Sequence, residues 1–428
     1  MKKLLSLLLS LCIVFALAAC GSSTDSSPPS EPSASDSSVS ETTSSDSGTG
    51  AFDGTLTIGL IGPMTGSLAT YGTAMQQGLE LAVEEINAAG GILGMEVEIV
   101  VADDRGDASE CLLAFNTLVS QGIGIIIGAA TSGCTSAITQ AAKEEGVVLI
   151  TPSATADSIT TEDDYVFRAC FRDSLQGDIA AAFVEQQGYT KVGTIACSAD
   201  TYSQGLVDAF KAACESRGIE VVATESTASM SAQDFTNQFA TMASAGAELV
   251  YAIYYYDAVG PFLITQARTA GYEGAIMGGD GYDGSLGYIS SGVDYSAFND
   301  VYWTNHYDPS DPNEAVQTFV AAFEEMFGST PISFSALTYD CMYMIAQAAD
   351  TCGSADAASV RDQLSDTSAV YDCVTGSFSL DESGTPTKGG VVIEYYYDPE
   401  VEDDPDTDEI ESIGQRLVST ITSEDLTQ

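Results

Sequence analysis

Histidine is almost missing from this chain: His306 is the only one in 428 residues. With no second imidazole and no close Cys-x-x-Cys pair, zinc and iron–sulfur chemistry lose their usual ligands. No metal and no cofactor are expected. Basic residues are scarce too, 13 against 62 acidic ones, for a formal net charge of −49. Such a chain offers no basic face to a nucleic acid and no electrostatic attraction to anionic lipid. The acidity reads as a solubility feature. Beyond the first 20 residues no apolar run is long enough to span a bilayer. No nucleophile elbow with a paired base is visible, so a secreted hydrolase is disfavoured and an enzyme is not expected. Shorter motifs also fall away. Gly122-Ile123-Gly124 with Gly128 fails the dinucleotide spacing and does not open a helix after a strand. Asp103-Asp104 reads as strand-end caps, Asp308 to Asn313 as a turn and helix cap, and His306 as a single exposed or core histidine.

The N-terminus carries an address. Met1-Lys2-Lys3 is positive, and Leu4 to Ala16 is apolar apart from Ser6 and Ser10. That core is too short for a good span and reads as a signal peptide over residues 1–19. Leu17-Ala18-Ala19-Cys20 resembles a bacterial lipobox. The resemblance implies a diacylglycerol on Cys20, cleavage before it, and a chain held on the extracytoplasmic face of the cell membrane. Gly21 to Gly50 is Ser, Thr, Pro, Asp, Glu and Gly with almost nothing apolar. Residues 20–53 are therefore expected to be a disordered, lipid-anchored tether, reaching ~30 Å as a flexible coil. Eight cysteines lie beyond the signal and Cys20: Cys111, Cys134, Cys170, Cys197, Cys214, Cys341, Cys352 and Cys373. An exported chain permits disulfides, but eight cysteines allow about 105 connectivities, and several sit in apolar segments as buried thiols would.

From residue 55 strand-like apolar runs alternate with amphipathic helices. Strands are expected at Leu56–Gly62, Val97–Asp104, Ile123–Ala129 and Val147–Ser153, with helices at Met75–Ala89, Cys111–Gln121 and Thr135–Glu145. The rhythm restarts after Phe171 with helix Leu175–Gln187. Helices at Gln204–Arg217, Ala232–Ala245 and Ala258–Ala270 then alternate with strands at Lys191–Cys197, Glu220–Glu225, Glu248–Tyr255 and Ala275–Gly279. Such repeats predict an α/β fold with parallel sheets covered on both faces, in two lobes. Val301–Tyr307 looks like a crossover, and helices Asn313–Phe327 and Ser335–Ala349 are expected to return to the first lobe. Gly376–Leu380 and Val391–Tyr397 are assigned to the second. A short helix is expected around Ser412–Thr420 in an acidic tail.

Ligands of open α/β sheets bind beyond the carboxyl ends of the strands. Those ends carry Gly62 to Gly66 with Tyr71-Gly72, Ala130-Thr131-Ser132-Gly133, and Thr151-Pro152-Ser153-Ala154-Thr155 in the first unit. In the second they carry Asp200-Thr201-Tyr202, Tyr255-Tyr256-Asp257 and Gly279-Asp280-Gly281. The first set offers hydroxyls (Ser132, Ser153, Thr155) and helix N-termini, which favour an anion. The second offers Asp280 between aromatic walls, Tyr202 and Tyr256. An anion site facing a cation site suits a zwitterion.

With these residues in view, residues 55 to about 397 resemble the leucine/isoleucine/valine-binding proteins of ABC importers, in their lipoprotein form. The motifs are Ile61 to Gly66, Gly90-Gly91-Ile92-Leu93-Gly94, Asp103-Asp104, Gly146 to Ala156, Phe167-Arg168 and Gln266-Ala267-Arg268. The resemblance implies two Rossmann-like lobes joined by three crossovers, closing like a flytrap. It places residues 54–172 plus 307–374 in the first lobe, 173–306 plus 375–397 in the second, and 398–428 in an acidic tail. By motif, Tyr71 lines the side-chain pocket, and Ser132 binds the ligand carboxylate with Ser153 and Thr155, Ala154 lying between them. Tyr202 and Tyr256 are the second-lobe aromatics, and Asp280 pairs with the ammonium. That last position is often glutamate in the family, and aspartate reaches less far. The implied function is capture of an amino acid, branched-chain or related, by a monomer that hands it to an ABC permease. The alternative is a ligand-sensing module of a signalling system built on the same fold.

Overall fold

The computed structural model describes residues 52–161, 165–401, 403, 410–422 and 425–427. The signal, Cys20 and nearly all of the tether lie outside the described residues. Among the described residues no helix is long and apolar enough to cross a membrane.

The first sheet is built from β1 (Gly54–Gly62), β2 (Met95–Asp103), β3 (Ile125–Ile127), β4 (Val148–Thr151) and β5 (Val166–Arg168). All neighbours are parallel, in the order β2-β1-β3-β4-β5. β3, β4 and β5 are buried along their whole length. Short Ile- and Val-rich runs of this kind suit a sheet covered on both faces. The covering helices are α1 (Ala69–Ala88), α2 (Ala108–Ser120) and α3 (Ser132–Glu145). Asp107 caps α2 by accepting the Ser109 and Glu110 N–H groups, and Thr131 caps α3 by accepting that of Cys134. Gly146 ends α3 in the left-handed conformation. Helix α1 starts six residues before the expected Met75 and has no side-chain cap. Its early start depends on Gly72, where a Cβ would fall 2.3 Å from the Pro63 carbonyl oxygen. Only glycine lets this turn lie against the end of β1.

The second unit runs α4 (Asp173–Gln186), β6 (Lys191–Cys197), α5 (Thr201–Ser216), β7 (Glu220–Thr227), α6 (Thr236–Ala245) and β8 (Leu249–Ala252). One regular helix was expected over Ala258–Ala270. The structure instead has a short α7 (Tyr256–Ala258), a π-helical turn over Val259–Leu263, and α8 (Ile264–Thr269). Pro261 lies inside the π turn and lacks the N–H that a continuous ladder requires. β9 (Ala275–Gly278) and β10 (Val301–Asn305) follow. The chain then returns through α9 (Glu314–Phe327), α10 (Ser333–Cys352) and α11 (Ala357–Leu364), with α10 packed along α1. A hairpin of β11 (Tyr371–Cys373) and β12 (Gly376–Phe378) precedes β13 (Gly390–Tyr397) and β14 (Ile413–Ile421).

The second sheet has the order β14-β13-β10-β9-β8-β6-β7. Five strands are parallel, and β13 and β14 add antiparallel at one edge. The chain passes between the sheets three times: after β5, after β10 and after β12.

Three expectations need correction. Val301–Asn305 is no crossover but a fully buried strand between β9 and β13, and the crossing begins only at His306. Ser412–Thr420 is not helical, and the segment beyond residue 398 is not simply a tail. Ile413–Ile421 pairs along the whole of β13, whose open backbone groups outweigh any local helix tendency. Gly376–Phe378 does not join the second sheet. It pairs with Tyr371–Cys373, and that hairpin packs on α10.

Candidate functional site

In the first sheet the strand order reverses between β1 and β3, and in the second between β6 and β8. These switch points are where crevices open at the carboxyl ends of strands. Here the two crevices meet.

The first wall is made mainly of backbone. Thr131 uses its side chain on the Cys134 N–H, at 3.3 Å, and its carbonyl on the Thr135 N–H, at 2.9 Å. The N–H groups of Ser132 and Gly133 remain for an acceptor in the cleft. The Ser132 hydroxyl accepts the Ala156 N–H at 3.2 Å and keeps its own proton to donate. Ser153 donates to the Ala130 carbonyl at 2.8 Å, tying the two loops together. Behind them Arg168 is fully buried. Its guanidinium donates to the carbonyls of Ala154, Thr155 and Ala156 at 3.2, 2.9 and 3.0 Å and to the Thr160 hydroxyl at 3.0 Å. Those carbonyls are thereby turned inward, away from the cleft.

The second wall is a carboxylate in a polar socket. Asp280 follows β9 and is 3 % exposed. Its Oδ1 accepts from Gln176 Nε2 at 3.0 Å and from the Tyr202 hydroxyl at 2.9 Å. Its Oδ2 lies 3.5 Å from His306 Nε2. Burial holds the His306 imidazole below its usual pKa despite the pull of Asp280. The contact is therefore a long hydrogen bond and not an ion pair at neutral pH. Burial, and then the nearby Asp280, push the Tyr202 hydroxyl well up, so it stays a donor.

The walls touch. Tyr71 stacks on Phe334, ring centroids 3.8 Å apart, and its hydroxyl donates to the Gly281 carbonyl at 2.6 Å. Tyr256 donates to the Ser67 carbonyl at 2.7 Å and accepts the Thr70 N–H at 3.1 Å. Asp283 accepts the Ser333 N–H at 2.7 Å. The cavity between the walls is narrow, about 10 Å³ open to a water-sized sphere within a void of about 250 Å³. That is room for about one water.

Of the residues singled out by sequence, Tyr71, Ser132, Ser153, Tyr202 and Asp280 line this cavity. Ala154, Thr155 and Tyr256 do not. Ala154 and Thr155 are buried behind the first wall. Tyr256 packs edge-on against Tyr71 at 4.7 Å, with its hydroxyl engaged by the first-lobe loop. Cys20 lies outside the described residues. Tyr255, Phe334 and, behind Asp280, Gln176 and His306 were missed. Tyr255 stands in the same Tyr-Tyr pair as Tyr256, and nothing in a strand end tells which of the two turns inward. Phe334 arrives on α10, distant in sequence from every strand end.

The profile of the periplasmic binding protein family matches residues 55–395. The Leu/Ile/Val-binding protein homolog 3 of Brucella melitensis is 32% identical over 332 residues, 77% of this chain and 88% of that protein. The leucine-, isoleucine-, valine-, threonine- and alanine-binding protein of Pseudomonas aeruginosa is 30% identical over 333 residues, 77% of this chain and 87% of that protein. Among solved structures, the branched-chain amino acid substrate-binding protein LivJ of Streptococcus pneumoniae, in complex with isoleucine, superposes with a TM-score of 0.72. It is 32% identical, and the match covers 79% of this chain and 96% of LivJ. The leucine-binding protein LivK of Thermotoga maritima gives a TM-score of 0.75 at 27% identity, covering 86% and 99%.

Proposed function

We propose, from the premise that the chain belongs to the periplasmic binding protein family, that it captures an amino acid between its lobes and delivers it to an ABC importer. The family consists of binding proteins, and this chain is not an enzyme. The observation that carries the reading is the pairing of opposite chemistries on one cavity. The N–H groups of Ser132 and Gly133, with the Ser132 hydroxyl, suit a carboxylate. Asp280, braced by Tyr202 and Gln176, suits an α-ammonium. Tyr71, Tyr255 and Phe334 supply apolar surface for a side chain. Ser153 holds the first wall in place with Ala154 and Thr155 behind it, and Tyr256 reaches from the second lobe to the loop before α1. The branched-chain amino acids named for the relatives are the first candidates, since the aromatic walls leave no fixed charge for a polar side chain.

A cavity this narrow admits an amino acid only when the lobes part. Ligand then favours re-closure, because the closed form alone lets both walls contribute. The lipid on Cys20 and the tether belong to the same reading, as they would keep the domain near its permease at a raised local concentration. Calorimetry of the processed protein against each common amino acid tests it. Micromolar or tighter binding of one or more aliphatic amino acids is expected. No heat and no thermal stabilisation from any amino acid would sink the proposal.

A further inference from the structure

Cys111 and Cys134 stand side by side in the first lobe. Cys111 lies on α2 and Cys134 in the first turn of α3, and both are buried, at 0% and 2% exposure. With a carboxylate oxygen of Asp104 they form a trio whose donor atoms all lie within 4.8 Å of one another. Asp104 is 1% exposed. Its Oδ1 accepts the Gly106 N–H at 2.8 Å, while its Oδ2 has no hydrogen-bond partner. The trio sits directly behind the Thr131–Ser132 turn, and nothing in the binding reading uses it.

We propose that Cys111 and Cys134 form a disulfide that staples α2 to the first turn of α3. Two observations favour a covalent bond over a bound thiophilic cation. A closed structural metal site takes four donors, and among the described residues this cluster offers three. The surroundings also oppose thiolates. The contact with Cys134 and burial push the Cys111 thiol far up. Two thiolates beside Asp104 would gather three negative charges in an apolar pocket that includes Ile61, Phe115 and Ile126. A disulfide carries no charge. The sulfurs lie within 4.8 Å of each other, and a turn of χ1 at either cysteine is the motion that would bring them toward a bond length of ~2.05 Å.

The chemistry is thiol–disulfide exchange with an oxidised dithiol, either a protein oxidoreductase or a small-molecule disulfide. One cysteine, as thiolate, attacks the carrier's S–S bond and forms a mixed disulfide with release of one carrier thiol. The second cysteine displaces the other. The two cysteines lose two electrons and two protons, and the carrier gains two thiols. Both sulfurs are enclosed in the finished lobe, so exchange takes place before α2 and α3 dock, and the product is then shielded from reductant.

The test uses full-length protein exported by its expressing cell and, in parallel, protein refolded with oxidised glutathione. Each is unfolded in denaturant with an alkylating agent and no reductant, then digested and mapped by mass. The expected result is a cross-linked pair of peptides carrying residues 111 and 134, separable only by reductant. Cys111→Ala should free Cys134 for alkylation and lower Tm on the order of 5 °C below the oxidised parent. Asp104→Asn should leave the cross-link intact. Alkylation of both cysteines in the unreduced parent would overturn the proposal. So would native mass spectrometry that finds a metal ion retained by the parent and lost in Asp104→Asn.

Discussion

The two walls of the cleft are built from different materials for the opposite tasks proposed for them. The first wall presents backbone N–H groups at the start of α3, steadied by a buried cation, Arg168, that never reaches the cavity. The second presents a side-chain carboxylate, Asp280, steadied by neutral donors from α4 and α5 and by an imidazole just after β10. A backbone site is fixed once its loop is fixed, so its weak point is the prop behind it. A carboxylate site is fixed only when several distant elements converge, so its weak point is the acid itself. Substitution should therefore reveal an asymmetry: the first wall fails through folding, the second through binding.

The largest effect is expected at Arg168→Ala. It leaves three inward-turned carbonyls without their donor, a loss of ~3–5 kcal/mol in stability. Denaturant unfolding measures it. A variant as stable as the parent would show that the first wall holds itself up. Next comes Asp280→Ala, which should cost ~2–4 kcal/mol in affinity, on the order of 30- to 1,000-fold, for any ligand with a free α-ammonium. Its stability should change far less than that of Arg168→Ala. Calorimetry that finds the parent affinity would remove Asp280 from its assigned role.

A third prediction concerns Asp104, the buried acid beside Cys111 and Cys134. Burial raises the Asp104 carboxyl from its ordinary value to about 6. The folded protein thus holds that proton more tightly than the unfolded chain does. Stability from this group is present below the ordinary carboxylate pKa and is lost as pH rises through about 6, for a total of ~3 kcal/mol. Asp104→Asn should flatten the stability profile between about pH 4 and pH 6 and raise stability at neutral pH, with ligand affinity unchanged. Parallel profiles for parent and variant would contradict it. The smallest effect is expected at Ser132→Ala. It removes one hydroxyl and leaves the N–H groups in place, so affinity should fall by ~1 kcal/mol, about fivefold. A loss as large as that at Asp280 would mean that the hydroxyl, and not the backbone, carries the anion site.

Legibility differed between the walls for the same reason. The Thr131–Ser132 turn could be read because a capping residue after an apolar run marks a helix start locally. Asp280 could be read as the end of a strand. Its partners could not: Gln176 and His306 lie far from it in sequence, and neither has a local pattern that points to a carboxylate. His306 looked inert because a lone histidine carries no signal until its neighbour is known. The same holds for the short π-helical break at Pro261 and for β14, whose residues become a strand only because β13 offers an open edge.

By itself the sequence determined the alternation of strands and helices, the doubling of the α/β unit, and the loops that end at the cleft. Those follow from local periodicity and from turn and cap chemistry, which act over a few residues. Only the tertiary structure decided which tyrosine of Tyr255 and Tyr256 lines the cavity, that Phe334 stacks on Tyr71, and that Cys111 meets Cys134. These are distance-dependent outcomes of packing between segments far apart in the chain, and no local preference encodes them.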